Sequence, residues 1–233
     1  NASSVKTLGA ATTQIGNSVY SGDITVGTGN GGAKFSLTAP TGVTVSFTGD
    51  ILEDLVSPAN GVLTKIGDGT VVLTGSNTYA GGTTVSVGTL LVNNLAGSGT
   101  GGGDVTVAEN ALIGGFGSIA GNVLLGADSA DLDALGGILM PTSSSNPLDI
   151  VGNLTADAGA AIDLQMMTGL NPLTTYTVVT YASLSGSLAV LNQPVTHSVD
   201  FGTGSIQLVP VPEPTAVALF GLAMIPALRR RGR

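Results

Sequence analysis

One histidine occurs in the chain, His197, with a hydroxyl and a carboxylate beside it at Ser198 and Asp200. Nucleophilic catalysis by such a set needs the imidazole within reach of an activated serine and an acid. No G-x-S-x-G elbow is present, and residues 195–204 read as a surface strand and turn. Asp128, Asp131 and Asp133 stand among glycines. Ca²⁺ takes clustered oxygen ligands, but the spacing fits neither the EF-hand nor G-G-x-G-x-D, so a solvated acidic loop is the reading. Glu53-Asp54 is a second acidic pair. Proton abstraction from an acidic polysaccharide also needs a base, and only Lys6, Lys34 and Lys65 precede Arg229. Glycoside hydrolysis by paired carboxylates would have little to hold a sugar, with no Trp, 4 Tyr and 5 Phe. Two stretches, 27–32 and 97–102, satisfy G-x-G-x-x-G, yet neither opens a helix, and both read as turns. Cysteine is absent, which removes disulfides, thiol nucleophiles and thiolate metal sites together. No catalytic residue, cofactor or metal site is expected.

Any such group would be carried on short strands. The 233 residues hold 36 Gly, only 9% charged and 4% aromatic side chains, and a mean hydropathy of +0.44. Disorder is excluded by the low charge, and collagen by the lack of a Gly-X-Y period. Runs rich in Val, Leu, Ile and Thr alternate apolar with small polar residues, the period of half-buried strands. They fall at 23–26, 34–38, 43–47, 62–66, 70–74, 83–87 and 89–93. Further runs fall at 104–108, 122–125, 148–151, 161–165, 175–181, 187–191 and 205–209. Only 127–135 reads as a helical turn, with Asp128 as its N-cap. Turns rich in Gly, Asn and Thr, small side chains and motif spacings of about 20 to 25 residues favour a solenoid. The fold class is therefore all-β, a right-handed parallel β-helix with an aliphatic inner column and Gly or Asn at the corners. An antiparallel β-sandwich is the alternative.

Within this pattern Leu63, Lys65, Gly67, Gly69, Val71, Leu73, Gly75, Asn77, Tyr79, Gly81, Gly82, Thr83, Val85, Gly88, Thr89 and Leu90 keep one another's spacing. This stretch, 63–90, resembles the autotransporter-associated β-strand repeat. Val71 and Val85 stand where that repeat has Leu and Ile. The next stretches, through 151–155, are similar to the segments downstream of the repeat in large surface β-helices, except that Met140-Pro141-Thr142 stands where a Pro-Gly turn is usual. The resemblance implies a passenger-like β-helix. An autotransporter proper ends in a membrane barrel of long amphipathic strands; none is expected after Gly204, so another export route is.

The 15 acidic residues all precede position 215, whereas four of the 7 basic ones lie in the last five positions. An acidic body repels nucleic acid. The end of the chain reads Val211-Pro212-Glu213-Pro214, an apolar run at 215–228, then Arg229-Arg230-Arg231-Gly232-Arg233. It is similar to the PEP-CTERM sorting signal of Gram-negative bacteria. The resemblance implies an exosortase-type processing enzyme acting near Val211, Pro212, Glu213 and Pro214, with Arg229, Arg230 and Arg231 left on the cytoplasmic side. As a helix, 215–228 is about 21 Å long against a bilayer core of about 30 Å, which suits a transient halt at the inner membrane better than a lasting anchor. Bacteria with this signal make exopolysaccharide and biofilm, which the resemblance adds as a partner. Residues 1–30 lack a charged segment leading into an apolar one, so the expectation is a removed leader or a chain that is part of a longer one. The organisation expected is N-terminal coils or a cap at 1–60, the β-helix at 61–174, a C-terminal coil or cap at 175–209 and the sorting signal at 210–233. The function expected is that of an exported structural or adhesive protein of the cell surface or matrix. The alternative is a carbohydrate-binding or polysaccharide-degrading β-helix.

Overall fold

A computed structural model describes residues 6–9, 18–26, 34–53, 60–126, 137–139, 146–165 and 167–212. No helix occurs among them. The expected helical segments at 127–135 and 215–228 lie outside the described residues.

The chain winds into a parallel β-solenoid. The first sheet stacks eight strands in chain order: Lys6–Gly9, Lys34–Thr38, Val62–Ile66, Thr83–Val85, Val105–Val107, Val123–Leu125, Leu154–Ala156 and Leu184–Gly186. The second sheet stacks another eight: Ser18–Tyr20, Thr44–Phe47, Thr70–Leu73, Gly88–Val92, Ala111–Gly115, Gly137–Leu139, Ala161–Asp163 and Ala189–Leu191. Every pairing in these two sheets is parallel. Two-residue hairpins cannot join parallel neighbours, so each rung travels round the barrel before it meets the one below. That rules out the antiparallel sandwich.

The third side is shorter. Ile24–Val26 pairs with Ile51–Glu53, and Ser118–Ile119, Leu148–Ile150 and Tyr176–Thr180 pair in parallel further on. There the direction reverses. Ser205–Pro210 adds antiparallel to Tyr176–Thr180 and turns back through Thr203-Gly204 from His197–Gly202.

Alternation in each strand sends one set of side chains inward. In register, Phe35, Leu63, Thr83, Val105, Val123 and Leu154 form one inner file, and Val45, Val71, Leu90, Ile113 and Ile162 another. All of these described side chains are buried. Corners are turned at positive φ by glycines such as Gly67 (79°) and Gly88 (70°) and by Asn60 and Asn110 (49° and 59°). The rungs are less regular than the expected spacing: the step is 18 residues from Asp104 to Asn122 and 31 from Asn122 to Asn153. Corner loops absorb the difference, because only the strands must keep register.

Candidate functional site

The strand and turn read at 195–204 are present, with a strand at His197–Gly202 whose other side chains are exposed or half-buried, and only the imidazole departs from a surface position. His197 is fully buried at the start of its strand. Its Nε2 lies 2.9 Å from the Thr174 carbonyl and its Nδ1 2.8 Å from Thr196 Oγ1. A carbonyl oxygen only accepts, so Nε2 donates to it, while Nδ1 and the threonine hydroxyl bond each other. The Tyr176 ring meets the imidazole edge at 5.6 Å. Ser198 and Asp200 come at odd offsets along the strand, which puts them on the opposite, exposed side. The three groups are not brought together, and the histidine pins the terminal hairpin.

The other candidates are likewise dispersed. Glu53 Oε2 accepts the Gly61 and Ala80 N–H groups at 3.1 and 3.2 Å. Asp54, Asp128, Asp131, Asp133 and the glycines at 27–32 lie outside the described residues. Among the described residues no three His, Cys, Asp or Glu gather to hold a metal ion. The stretch at 97–102 is a turn, with Gly97 and Gly101 at φ 65° and 71°.

The polar residues that matter most stand inside, within the repeat. Lys65 occupies an inward position between Leu37 and Val85, and its side chain is buried. Its stem fills the aliphatic file, while Nζ donates to the carbonyl oxygens of Gly67 and, at 2.8 Å, Val87, two successive rungs. Burial pushes the ammonium down to about 8, against an opposing pull from Asp68. Gly88 leaves the room for it: a Cβ there would sit 2.7 Å from Nζ. Asn77 spans three rungs, accepting the Ile51 N–H at 2.7 Å and donating to the Gly99 carbonyl at 2.5 Å. Tyr79 is buried, with its hydroxyl 2.7 Å from Thr83 Oγ1, which donates to the Thr100 carbonyl at 3.2 Å. Its ring meets Phe35 of the rung below edge-on at 5.6 Å, and desolvation raises the pKa of its phenol. Composition and periodicity gave no hint of these roles; the only signal was that Lys, Asn and Tyr recur at fixed places in the repeat pattern.

Outside, carboxylates and amides are consumed between rungs. Asp50 N–H donates to Asp23 at 2.9 Å, and Ser76 N–H to Asp50 at 2.7 Å. Asp104 accepts both nitrogens of Asn122 at 2.9 and 3.0 Å, Asn122 accepts the Asn153 N–H at 2.9 Å, and Asn153 accepts the Ser183 hydroxyl at 2.7 Å. Asp149 accepts Ser118 Oγ and Thr180 Oγ1 at 3.2 and 2.7 Å. These ladders stitch the stack and do not converge on a reacting centre.

Of the expected sorting residues, Val211 is exposed and donates its N–H to the Thr196 carbonyl at 2.9 Å, and Pro212 comes directly after it. Glu213, Pro214, Arg229, Arg230 and Arg231 lie outside the described residues. Among the described residues no helix is long and apolar enough to cross a membrane.

Residues 63–92 match the passenger-associated-transport-repeat family model, which covers the repeat at 63–90 read from the sequence. Over 209 residues, 87% of this chain, the sequence is 36% identical to the adhesin BmaC autotransporter of Brucella suis biovar 1 (strain 1330). The chain spans 6% of the length of that relative.

Proposed function

We propose that this chain is a segment of an exported, non-enzymatic β-helix passenger that is displayed on the bacterial surface or in its matrix and makes adhesive contacts there. The observation that carries the reading is where the ionisable and polar groups go. Lys65, Asn77, Asp104, Asp149 and His197 each bond between rungs or pin an element. The outer surface, held at fixed spacing, is left for function. Similarity to an autotransporter adhesin supports the same reading. The sorting step belongs to the proposal: an exosortase-type enzyme recognises Val211, Pro212, Glu213 and Pro214, residues 215–228 halt in the inner membrane, and Arg229, Arg230 and Arg231 hold the cytoplasmic side. Exopolysaccharide of the matrix is the partner proposed outside the cell.

Intact mass and cell fractionation in the native host test this directly. The expected product is surface-exposed, accessible to added protease on whole cells, and lacks the residues beyond the Pro-Glu-Pro element. A cytoplasmic chain overturns the display reading. A surface chain that retains Arg229–Arg233 overturns the sorting step alone.

A further inference from the structure

Thr74, Ser76, Asn93, Leu95, Ala96 and Phe116 line an open cleft of about 480 Å³. They come just after three consecutive strands of the second sheet, Thr70–Leu73, Gly88–Val92 and Ala111–Gly115, so the cleft spans three rungs. None of the six carries an ionisable group. Its floor is held in place: the Phe116 N–H donates to the Val92 carbonyl at 3.1 Å and to Asn93 Oδ1 at 3.3 Å. Its rim is the loop at 95–97, gripped from beneath by the buried Asn94. The Asn94 amide donates to the Ala96 and Gly97 carbonyls at 3.1 and 2.9 Å, and its oxygen accepts the Ser118 N–H at 3.0 Å. Gly97 lies against Ser76 so closely that a Cβ would strike the hydroxyl.

Leu95 is 89% exposed on this braced rim, although water drives an apolar side chain of this size toward burial. The loop is tied where it cannot fold the side chain inward. Beside it, no hydrogen bond among the described residues takes up Asn93 Nδ2 or the Ser76 hydroxyl. A braced leucine, an aromatic ring, a free amide donor and a free hydroxyl, with no charge among them, complement a ligand that has one C–H face and neutral hydroxyls at its edge. A pyranose ring has that form. Asp50, bonded to the Ser76 backbone, and Asp149, in an adjoining cleft of about 360 Å³ that shares Leu95 and Phe116, place negative charge on either side. That charge repels uronates and sulfated sugars.

We infer that the cleft between Leu95 and Phe116 binds a neutral glycan, with those two side chains against the apolar ring face and Asn93 and Ser76 on its hydroxyls. The inference names a partner for the contact surface proposed above, and to that extent rests on it. The test uses the purified full chain in solution and is independent of where the chain is displayed. Cello-, malto- and laminari-hexaose and the hexamer of N-acetylglucosamine are titrated by saturation-transfer NMR, with hexagalacturonate as the anionic control. At least one neutral oligomer is expected to saturate. The Leu95→Asp/Ser76→Ala double variant changes only side chains outside the core, and is expected to weaken binding about tenfold or more with an unchanged circular dichroism spectrum. The inference is overturned if no neutral oligomer saturates the native chain, if the folded double variant binds as well as the native one, or if hexagalacturonate binds better. A surface-displayed chain that binds none of the oligomers refutes the glycan site alone, and a cytoplasmic chain that binds one refutes the display alone.

Discussion

Replacing Asn77 by Ala tests whether the interior amides are joints of the stack. The substitution strands two buried backbone groups at once, the Ile51 N–H and the Gly99 carbonyl, now 2.7 and 2.5 Å from the side chain. A buried donor or acceptor left without a partner costs about 1–3 kcal/mol, so the loss expected is about 2–6 kcal/mol. Urea unfolding monitored by circular dichroism measures the total, and amide exchange at Ile51 localises it. Loss of protection is expected at Ile51 and at rungs adjoining it, because stability in a solenoid passes between neighbours. Asn77→Asp separates the two bonds. It keeps an acceptor for Ile51 but sets a carboxylate oxygen against the Gly99 carbonyl. A like-polarity contact of this kind raises the folded carboxyl above its unfolded value, so the deficit is largest at neutral pH and shrinks as the pH falls and the group protonates. A loss below about 1 kcal/mol for Asn77→Ala, with Ile51 still protected, would show that the aliphatic files alone hold these rungs together.

Lys65 predicts a pH window. Its proton leaves at about 8 in the native chain against 10.5 when unfolded, so between those values the unfolded state binds more protons and unfolding free energy climbs with pH. Buried Tyr79, its pKa raised above 10.0, reverses the slope above about pH 10, because the unfolded phenol then ionises first; urea midpoints across pH 7–11 should show the rise in the native chain and not in Lys65→Met. Gly69→Ala drives a methyl into the Pro40 and Val43 carbonyls of the rung below and should cost about 3 kcal/mol or more, whereas Gly102→Ala, with open space around it, should change the midpoint by no more than about 0.5 kcal/mol. His197→Ala leaves the Thr174 carbonyl without its donor and opens a cavity under the hairpin; a loss of about 3 kcal/mol should appear as faster amide exchange in Ser205–Pro210 with Val105–Val107 unchanged.

Strands were legible where alternation is clean. Lys34–Thr38 runs as read from the sequence because Phe35 and Leu37 alternate with polar residues, and Val62–Ile66 does so because it is rich in Val, Leu and Ile, although Lys65 takes the inward place after Leu63. Ala111–Gly115, Ser118–Ile119 and Leu184–Gly186 were not read as strands. They are short or rich in Gly and Ser, and pairing to a neighbouring rung holds them in place, which no local pattern records. The inward face of His197 was hidden for a related reason, although its strand was read. Alternation shows that two faces exist, but the partner that selects the inner one, Thr174, lies 23 residues earlier. The repeat was recognised as a pattern, yet the roles of Lys65 and Asn77 could not be read from it, since the Val87 acceptor of Lys65 and both the Ile51 and Gly99 partners of Asn77 belong to other rungs. The cleft beside Leu95 left no mark in the sequence, because its walls come from three turns of the chain.

The direction of the backbone bonds gives the stack a mechanical character. Inter-rung hydrogen bonds run along the axis, so a pull from end to end puts the same tension on every interface, and the rungs let go one at a time. A rung that lets go gives up about 5 Å of stacked height. It releases 18 to 31 residues of chain, or about 60–100 Å of slack. Such a rod answers a sudden tug by paying out cord in saw-tooth steps, shielding whatever it grips from peak force.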